Sequence, residues 1–194
     1  GRADFIAKNP DIMHELANIG LRTVIVGFES FSEKELDKYN KKTSVENNKE
    51  TMAVLNREKI DVFATIIIPP EWDKSDFKNM VTVIKSLGIH FVNLQPLTPL
   101  PKTGISYPQD QIIIDRHNYP HWDLAHIAVR PEKLPVSEFY REILKAYNAI
   151  LFNRKAIWKY LTTNRPKMLL KMLIGGYRVT KQYKMKIKES ENNA

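Results

Sequence analysis

The chain has no cysteine, which excludes disulfides, thiolate metal sites and a cysteine nucleophile within its 194 residues. No run of about 18 apolar residues predicts a membrane span. The hydrophobic fraction of 43% still allows a sizeable core, and the length suits one domain or one and a half. The chain opens on Gly1-Arg2-Ala3-Asp4, without an initiator methionine or a signal peptide. We therefore expect a piece of a longer protein, and we expect that protein to be cytoplasmic.

Acidic residues are missing from most of the C-terminal region, so the charge of the chain is uneven. Residues 151–188 contain 11 Lys or Arg and no Asp or Glu, whereas residues 1–150 contain 19 basic and 20 acidic side chains. The net charge of +8 therefore belongs to the tail. An argument for an anionic partner, such as a nucleic acid or an anionic membrane, applies only to this tail.

Residues 1–104 alternate between strand and helix patterns joined by short connections. The predicted strands are residues 2–6, 23–26, 61–68 and 90–95, and the predicted helices are residues 9–20, 32–39, 44–60 and 76–87. Two of the strand segments, TVIV and DVFATIII, are typical of buried parallel strands. This order predicts an α/β fold, a partial (β/α) barrel with parallel strands followed by a helical C-terminal region. Nothing in the sequence closes the barrel.

The remainder of the chain has a different composition. Residues 105–135 carry many Pro, His and aromatic residues. Ser137 is predicted to cap a long helix. One or two basic helices follow, interrupted at Pro166 and at Gly175-Gly176. We therefore divide the chain into half a barrel (1–104), a post-barrel segment with a hairpin and a helix (105–152) and a basic helical tail (153–194).

The strand at residues 23–26 is followed directly by the polar residues of the segment GFES, where a turn would be expected. In α/β folds, ligands bind at the carboxyl ends of the strands. The carboxylate of Glu29 can accept hydrogen bonds from ribose hydroxyls or from an amino group, and Ser30 can offer its hydroxyl. Both side chains can instead serve the start of the following helix. The segment therefore indicates a ligand site, with helix capping as the simpler interpretation.

The order of these segments resembles the second half of the barrel in radical S-adenosylmethionine (SAM) enzymes. In that family, a helix ending in Gly leads to a strand that ends in Gly-Ile-Glu-Ser. The matching segments here are Arg2-Ala3-Asp4, Asn9-Pro10-Asp11, residues 20–30, Tyr39-Asn40-Lys41 with Thr43, residues 61–70 and residues 95–104. The resemblance covers residues 1 to about 145 and rests on order and spacing. Residues 122–147 are also similar to the segment after the barrel in cobalamin-binding members.

The resemblance implies SAM and a [4Fe–4S] cluster as cofactors of the parent protein, with cobalamin as a further candidate. The family holds its cluster in a Cys-x-x-x-Cys-x-x-Cys loop, which would lie upstream of Gly1. Because this chain has no cysteine, its own residues do not hold the cluster. The fifth strand of the family ends in a Gly-rich turn, whereas this chain has Pro69-Pro70. Proline has no amide hydrogen, which puts a SAM contact through backbone N–H groups in doubt there.

The resemblance assigns roles in the SAM pocket to seven residues, namely Arg2, Asp4, Glu29, Ser30, Lys41, Thr65 and Gln95. Lys41 would pair with the methionine carboxylate of SAM as a point charge, and Gln95 would lie where the family contacts adenine. Each role has a simpler alternative. Lys41 can be a solvated helix end, and Arg2 with Asp4 can be a salt bridge. The β-propensity of Thr65 is enough to explain its position. No catalytic residue or metal ligand is assigned.

Two further groups have a functional and a structural interpretation. The first is His117, His121 and His126 with Asp115 and Asp123, whose spacing fits neither a helix face nor a zinc signature, so we favour a turn and hairpin. The second is the basic tail with its interleaved aromatic residues, which can bind nucleic acid or an anionic membrane. In the simpler interpretation, the apolar residues of the tail dock on the body of the protein, namely Met168, Leu169, Leu170, Met172 and Leu173.

Taken with the resemblance, the sequence predicts part of a radical SAM enzyme, in which a SAM-derived radical abstracts hydrogen from an unknown small-molecule, peptide or lipid substrate. We expect this chain to be inactive by itself and to need the upstream half of the same protein. A cut sheet edge would pair with a second copy or be covered by the tail. The alternatives are a non-catalytic binding module whose basic tail holds RNA or an anionic membrane, and another (β/α) enzyme with Glu29 as acid or base.

Overall fold

The computed structural model describes residues 1–29, 44–152, 157–158, 161 and 166–192. Its strands are β1 (Thr23–Glu29), β2 (Asp61–Ile68) and β3 (Phe91–Pro96). Its helices are α1 (Ala3–Lys8), α2 (Pro10–Asn18), α3 (Val45–Arg57), α4 (Lys74–Ser86), α5 (Val136–Leu151) and α6 (Pro166–Asn192), with 3₁₀ turns at Gln109–Gln111 and Tyr119–His121. The helix predicted at residues 32–39 lies outside the described residues.

The three strands form a parallel sheet in the order β1-β2-β3. α3 precedes β2 and α4 precedes β3, so each connection between neighbouring strands contains a helix, as parallel pairing requires. β2 begins and ends at the predicted residues, Asp61 and Ile68. The predicted α/β fold, a partial barrel with parallel strands followed by a helical C-terminal region, is confirmed.

The first predicted strand is wrong, because the chain from Ala3 onward forms the helix α1. Arg2 keeps a strand-like contact, as an isolated parallel bridge to Gly27 of β1. Ala3 and Ile6, three residues apart, are both buried, which is helical spacing, whereas a strand would bury alternate residues. The hydroxyl of Thr51 on α3 donates to the carbonyl of Ala3 at 2.6 Å and fixes the start of this helix.

The sheet has one fully buried face and one half-buried face. Leu55 of α3 and Ile84 of α4 belong to the main hydrophobic core, on the buried face. Ile25 of β1, on the opposite face, is 60% exposed. Along β2, the buried side chains alternate with partly buried ones and are Val62, Ala64, Ile66 and Ile68. The helices therefore cover one face of the sheet and leave the other more accessible.

The helix α5 lies along β3, the strand at one edge of the sheet. The hydroxyl of Tyr147 on this helix accepts a hydrogen bond from the backbone amide of Leu94 at 2.8 Å. It also lies 3.4 Å from the side-chain oxygen of Asn93 and from the carbonyl of Leu94, either of which can accept its proton. Burial raises the pKa of Tyr147, so the hydroxyl stays protonated and can donate while it accepts. A side chain thus satisfies an edge amide that would otherwise be open.

We expect Tyr147→Phe to lower the free energy of unfolding by about 1–3 kcal/mol, because the amide of Leu94 then loses its acceptor in a partly buried place. Urea-induced unfolding followed by circular dichroism measures the change. Tyr119→Phe is the matched control, because Tyr119 is 73% exposed, and it should stay within about 0.5 kcal/mol of the unsubstituted chain. Equal changes for the two substitutions would contradict the role given to the Tyr147 hydroxyl.

Two helices begin at residues that the sequence did not indicate. α4 begins after Asp73, whose carboxylate accepts hydrogen bonds from the amides of Ser75 at 2.8 Å and Asp76 at 3.3 Å. The Asp76 side chain accepts in return from the amide of Asp73 at 2.8 Å, which completes a capping box. The bonds from Ser75 hold the pKa of Asp73 well below its usual value. α5 begins directly after Pro135 without a side-chain cap, so the prediction that Ser137 caps this helix is wrong. The fixed φ of proline prepares the helix start instead.

The helix α6 runs without interruption through Gly175-Gly176, so the predicted break there is wrong. Each glycine destabilises a helix by about 1 kcal/mol relative to alanine. Packing further along the helix offsets this cost. The side chain of Tyr183 is buried, and its ring centroid lies 6.1 Å from that of Tyr140 and 5.8 Å from that of Tyr147, both on α5. Three tyrosine rings therefore hold the second half of α6 against α5.

Two polar contacts extend the attachment of α6. The ammonium of Lys186 donates to the carbonyl of Ala125 at 3.1 Å, and Arg141 of α5 forms an ion pair with Glu191. Partial burial lowers the pKa of Lys186. α6 is 27 residues long, but charged side chains interrupt it. In the described part of the chain, no helix combines the length and the apolar character that crossing a membrane requires.

Candidate functional site

The carboxyl ends of the three parallel strands lie side by side, and this end of the sheet is called here the sheet edge. A row of paired residues crosses the sheet just before it. Arg2 pairs with Gly27, Gly27 with Thr65, and Thr65 with Asn93. Gln95 lies two residues closer to the edge on β3. Because residues in register share a face and side chains alternate along a strand, Thr65, Asn93 and Gln95 belong to the same, half-buried face. Four chain segments thus contribute to one place.

The polar side chains of this face form few hydrogen bonds within the protein, and these are long. The hydroxyl of Thr65 donates to the carbonyl of Val26 on the neighbouring strand at 3.3 Å, a long hydrogen bond. The side-chain oxygen of Asn93 lies 3.4 Å from the Tyr147 hydroxyl. Among the residues that the structure describes, none forms a hydrogen bond with the side-chain amide of Gln95. These groups therefore have capacity for a ligand.

The two predicted site residues at the start of the chain bind each other. The Nε and Nη2 atoms of Arg2 lie 2.9 and 2.8 Å from the two carboxylate oxygens of Asp4. The side chain of Arg2 is 68% exposed and that of Asp4 is 19% exposed. The hydrogen bonds to Arg2 lower the pKa of Asp4 and raise the pKa of Arg2. This geometry is the salt bridge that the sequence allowed, and a role of the two residues in a SAM pocket stays a prediction.

β1 ends at Glu29, and its pairing with β2 becomes irregular there. The register shifts between Gly27 and Glu29, which is the pattern of a β-bulge. Bulges turn a strand locally and are frequent next to active sites. Ser30 and Lys41 lie outside the described residues, as does the side chain of Glu29. The roles given to these three residues therefore stay predictions.

The turn after β2 is fixed by contacts with the core. Trp72 is buried, and its ring stacks edge to face on Phe77 of α4, with 5.2 Å between the ring centroids. The amide of Glu132 donates to the carbonyl of Pro70 at 2.9 Å. Because Pro69 and Pro70 have no amide hydrogen, the chain offers a ligand no N–H group at these two positions. The turn at Pro69-Pro70 is thus held by contacts of Trp72 with the core and of Pro70 with Glu132.

The Pro-rich loop after β3 borders a pocket with a volume of about 290 Å³. Its walls are mainly apolar and include Leu100, Tyr119 and Trp122, and Lys102 and Arg116 add positive charge. Such a lining suits a ligand with a flat apolar part and an anionic group. The sequence did not indicate Arg116, because the pocket joins loops that are distant along the chain and no spacing marks them.

The histidine cluster is a local polar network. His126 Nδ1 lies 2.9 Å from the carboxylate of Asp123, and the ring centroids of His121 and His126 are 4.4 Å apart. Burial acts to raise the pKa of Asp123, but hydrogen bonds from His126 and from two backbone amides lower the pKa to about 2. Over residues 1–29, 44–152 and the described parts of the tail, no group of three or more His, Cys, Asp or Glu could hold a metal ion. The hydrogen bonds that Asp123 accepts come from Ala125 and His126, in the same loop.

The residues at the sheet edge fit a nucleoside-bearing cofactor and do not fit an iron–sulfur cluster. The hydroxyl of Thr65 and the amides of Asn93 and Gln95 can donate to and accept from ribose hydroxyls and the polar edge of a base. The chain has no cysteine, so cluster ligation among its own residues is excluded. The sequence interpretation missed Asn93. The signal that could have indicated it is the two-residue alternation from Gln95 back along the strand.

No protein-family model matches the chain. The chain is 27% identical over 160 residues to the hopanoid C-3 methylase of Methylococcus capsulatus (strain ATCC 33009 / NCIMB 11132 / Bath). The similarity covers 81% of this chain and 30% of the methylase, so the chain spans less than a third of the length of that relative. This distant similarity is in line with a relation to radical SAM enzymes.

Proposed function

We propose that this chain is part of a radical SAM enzyme, in which it supplies the later barrel strands on the SAM-binding side. The observation that carries the proposal is the row at the sheet edge, where Arg2, Thr65 and Asn93 follow one another on neighbouring segments. The carboxyl edge of a parallel sheet is where α/β folds bind their ligands. The similarity to a methylase over 81% of the chain is an independent support.

In this proposal, the residues of the chain bind and orient the cofactor. SAM, when bound beside a reduced [4Fe–4S] cluster, is a source of a radical that removes hydrogen atoms from unreactive carbons. Thr65 and Gln95 would hydrogen-bond the nucleoside, and Glu29 would accept from ribose or from the amino group. Lys41 would neutralise the carboxylate of the methionine part. The hydroxyl and amide groups of Thr65, Asn93 and Gln95 do not ionise near neutral pH, so they suit binding and not proton transfer.

The reaction class that we propose is methylation of an unreactive carbon. The relative is named as a methylase that acts at C-3 of a hopanoid. A saturated ring carbon has no acidic hydrogen, so a carboxylate or imidazole base does not activate it, and a radical route does. We therefore propose an apolar, lipid-like substrate. Cobalamin would be a further cofactor of the parent, because residues 122–147 resemble the corresponding segment of cobalamin-binding members.

The cluster would be held by residues outside this chain. With no cysteine among its 194 residues, the chain needs the upstream half of its parent for the chemistry, and we propose that it is inactive by itself. The half-buried face of the sheet, on which Ile25 is 60% exposed, would then face the enclosed side of the barrel. We propose a cytoplasmic location for the complete enzyme.

The test is the production of 5′-deoxyadenosine. The parent protein, purified without oxygen, reconstituted with iron and sulfide and treated with a strong reductant, should convert SAM into 5′-deoxyadenosine, and the 194-residue chain treated in the same way should form none. Liquid chromatography of the nucleosides measures both. A parent without a Cys-x-x-x-Cys-x-x-Cys sequence upstream of Gly1 would contradict the proposal. So would a reconstituted parent that carries its cluster and leaves SAM intact.

Two other functions give different results in the same assay. A non-catalytic binding module would form no nucleoside product and would bind RNA or anionic membranes through its basic tail. A (β/α) enzyme with Glu29 as acid or base would turn over its substrate without iron or SAM, and its rate would follow the titration of a carboxylate. Activity that survives removal of iron would therefore favour the last function over the proposed one.

A further inference from the structure

The end of α5 and the first half of α6 form an apolar groove, called here the tail groove. Its volume is about 550 Å³, and its lining includes Leu151, Phe152, Leu161, Leu169, Met172 and Tyr177. Leu169 and Met172 lie three residues apart on α6, and Tyr183, which packs against α5, lies about three turns further along the same side of the helix. The apolar face of α6 therefore continues beyond the point where α5 ends.

The apolar side chains around the tail groove are strongly exposed. Phe152 is 61% exposed, Leu173 is 64% exposed and Tyr177 is 70% exposed. Leu170 is 59% exposed, so the prediction that the apolar residues of the tail dock on the body of the protein is wrong for Leu170 and Leu173. Leu169 and Met172 are half-buried, and the side chain of Met168 lies outside the described residues. Several large apolar side chains exposed next to one another usually mark a surface that binds another molecule.

Basic side chains border this apolar surface. Lys171 and Arg178 are exposed and lie seven residues apart on α6, on the side of the helix next to Ile174. Neither forms an ion pair with a residue that the structure describes. No acidic residue occurs between residues 151 and 188, where 11 basic residues lie. The surface thus combines aliphatic and aromatic side chains with a border of one charge.

We propose that the tail groove and the exposed side chains around it bind the surface of a membrane that contains anionic lipids. Leu170, Leu173 and Tyr177 would enter the boundary between headgroups and acyl chains, and Lys171 and Arg178 would meet the phosphates. The positive border favours an anionic membrane over two other candidate partners, a second copy of the chain and RNA. A second copy would bring the same positive border into contact with the first, and the two would repel. RNA would neutralise the cations, but aliphatic side chains offer its bases little to stack on.

The experiment is co-sedimentation of the 194-residue chain with phosphatidylcholine vesicles that contain about a third phosphatidylglycerol, beside vesicles of phosphatidylcholine alone. The chain should bind the anionic vesicles, and the binding should weaken as salt is raised. Binding of the same strength to both kinds of vesicle, or to neither, overturns the proposal. The readout is partitioning and not turnover, so its outcome is independent of the proposed radical SAM function.

Two pairs of variants locate the binding surface. Lys171→Gln with Arg178→Gln should weaken binding by about tenfold to thirtyfold, whereas Lys78→Gln with Lys85→Gln, two exposed lysines of α4, should change it less than about twofold. Leu173→Gln with Tyr177→Gln should also weaken binding by at least about tenfold, and Ile19→Gln, at a residue that is 83% exposed elsewhere, should not. All the substituted side chains are exposed, so folding is retained and circular dichroism checks it.

Three results would overturn the assignment of this surface to membranes. The first is an equal loss of vesicle binding for the Lys78 and Lys85 variant of α4 and the Lys171 and Arg178 variant of α6, which would mean attraction by total charge alone. The second is a concentration-dependent dimer in sedimentation that Leu173→Gln converts to a monomer. The third is tighter binding to single-stranded RNA than to vesicles, unchanged by Leu173→Gln with Tyr177→Gln.

Discussion

Phe139→Ala will lower the free energy of unfolding by about 3–5 kcal/mol, the largest effect that we expect from a single substitution in the described core. Phe139 is 1% exposed, and its ring packs edge to face on Phe77, with 5.2 Å between the centroids. Phe77 packs in the same way on Trp72. This chain of three rings joins α5 to α4 and to the turn after β2, so alanine at residue 139 leaves a cavity where three elements meet.

Urea-induced unfolding, followed by circular dichroism and by tryptophan fluorescence, measures this change. Phe152→Ala is the matched control at the other end of α5, because Phe152 is 61% exposed, and it should alter the free energy of unfolding by less than about 0.5 kcal/mol. If Phe139→Ala lowers the free energy of unfolding no more than this control does, the aromatic contact does not fasten α5 to α4. Different midpoints from the two probes would show that the unfolding is not a two-state transition.

Glu29→Ala in the reconstituted parent protein will weaken SAM binding by about tenfold to a hundredfold, which is the loss expected for a charge-assisted hydrogen bond. The expectation rests on the proposed function and on the position of Glu29 at the end of β1, beside the shift in register. Equilibrium dialysis with SAM measures the affinity. The yield of 5′-deoxyadenosine at saturating SAM should fall less than the affinity does, because the carboxylate binds the cofactor and takes no proton.

Glu46→Ala is the control for this prediction. Glu46 is also acidic, but it lies on the surface of α3, where its carboxylate pairs with Lys49 at 3.2 Å and is 67% exposed. SAM affinity should be the same with and without this substitution. An unchanged affinity in Glu29→Ala would remove Glu29 from the cofactor site, while 5′-deoxyadenosine formation would still test the radical SAM proposal itself.

The elements that the sequence predicted well are those whose local signals agree with their surroundings. β2 has an unbroken β-forming run that Pro69-Pro70 ends, and both its faces are covered enough to keep it extended. α2 begins at Pro10, and Gly20 after it has a φ of 113°, a conformation that glycine adopts most easily. In both segments the local preference and the tertiary packing favour the same structure.

The elements that were missed depend on contacts between distant residues. α1 forms because Ala3 and Ile6 pack into the core beside Thr51, which lies 48 residues from Ala3. Gly175-Gly176 stays helical because of the packing of Tyr183 on α5. The local secondary-structure preferences of these segments take neither contact into account. Tertiary packing decides both segments.

In the candidate site, too, some positions follow from the sequence and others depend on tertiary structure. The strand positions of Thr65 and Gln95 follow from the two-residue alternation and from parallel order, which the sequence contains. The row that joins them to Arg2 and Asn93 depends on strand register, which the sequence did not specify. Arg116 lies in its pocket because of the way the loops fold, and loops have no regular residue spacing from which its position could be predicted.

The hydroxyl of Tyr147 hinders the addition of a further strand to the sheet along β3. The amides that point away from the sheet on β3 belong to alternate residues, and Leu94 is one of them. Its neighbours in that series are Val92 and Pro96, and a proline has no hydrogen to donate. A further strand along β3 would therefore find one amide occupied and one missing. On the other side of the sheet, the amide of Gly27 in β1 donates to the carbonyl of Gly1 at 3.4 Å, and Arg2 forms a parallel bridge to Gly27, so the start of the chain already continues the sheet there.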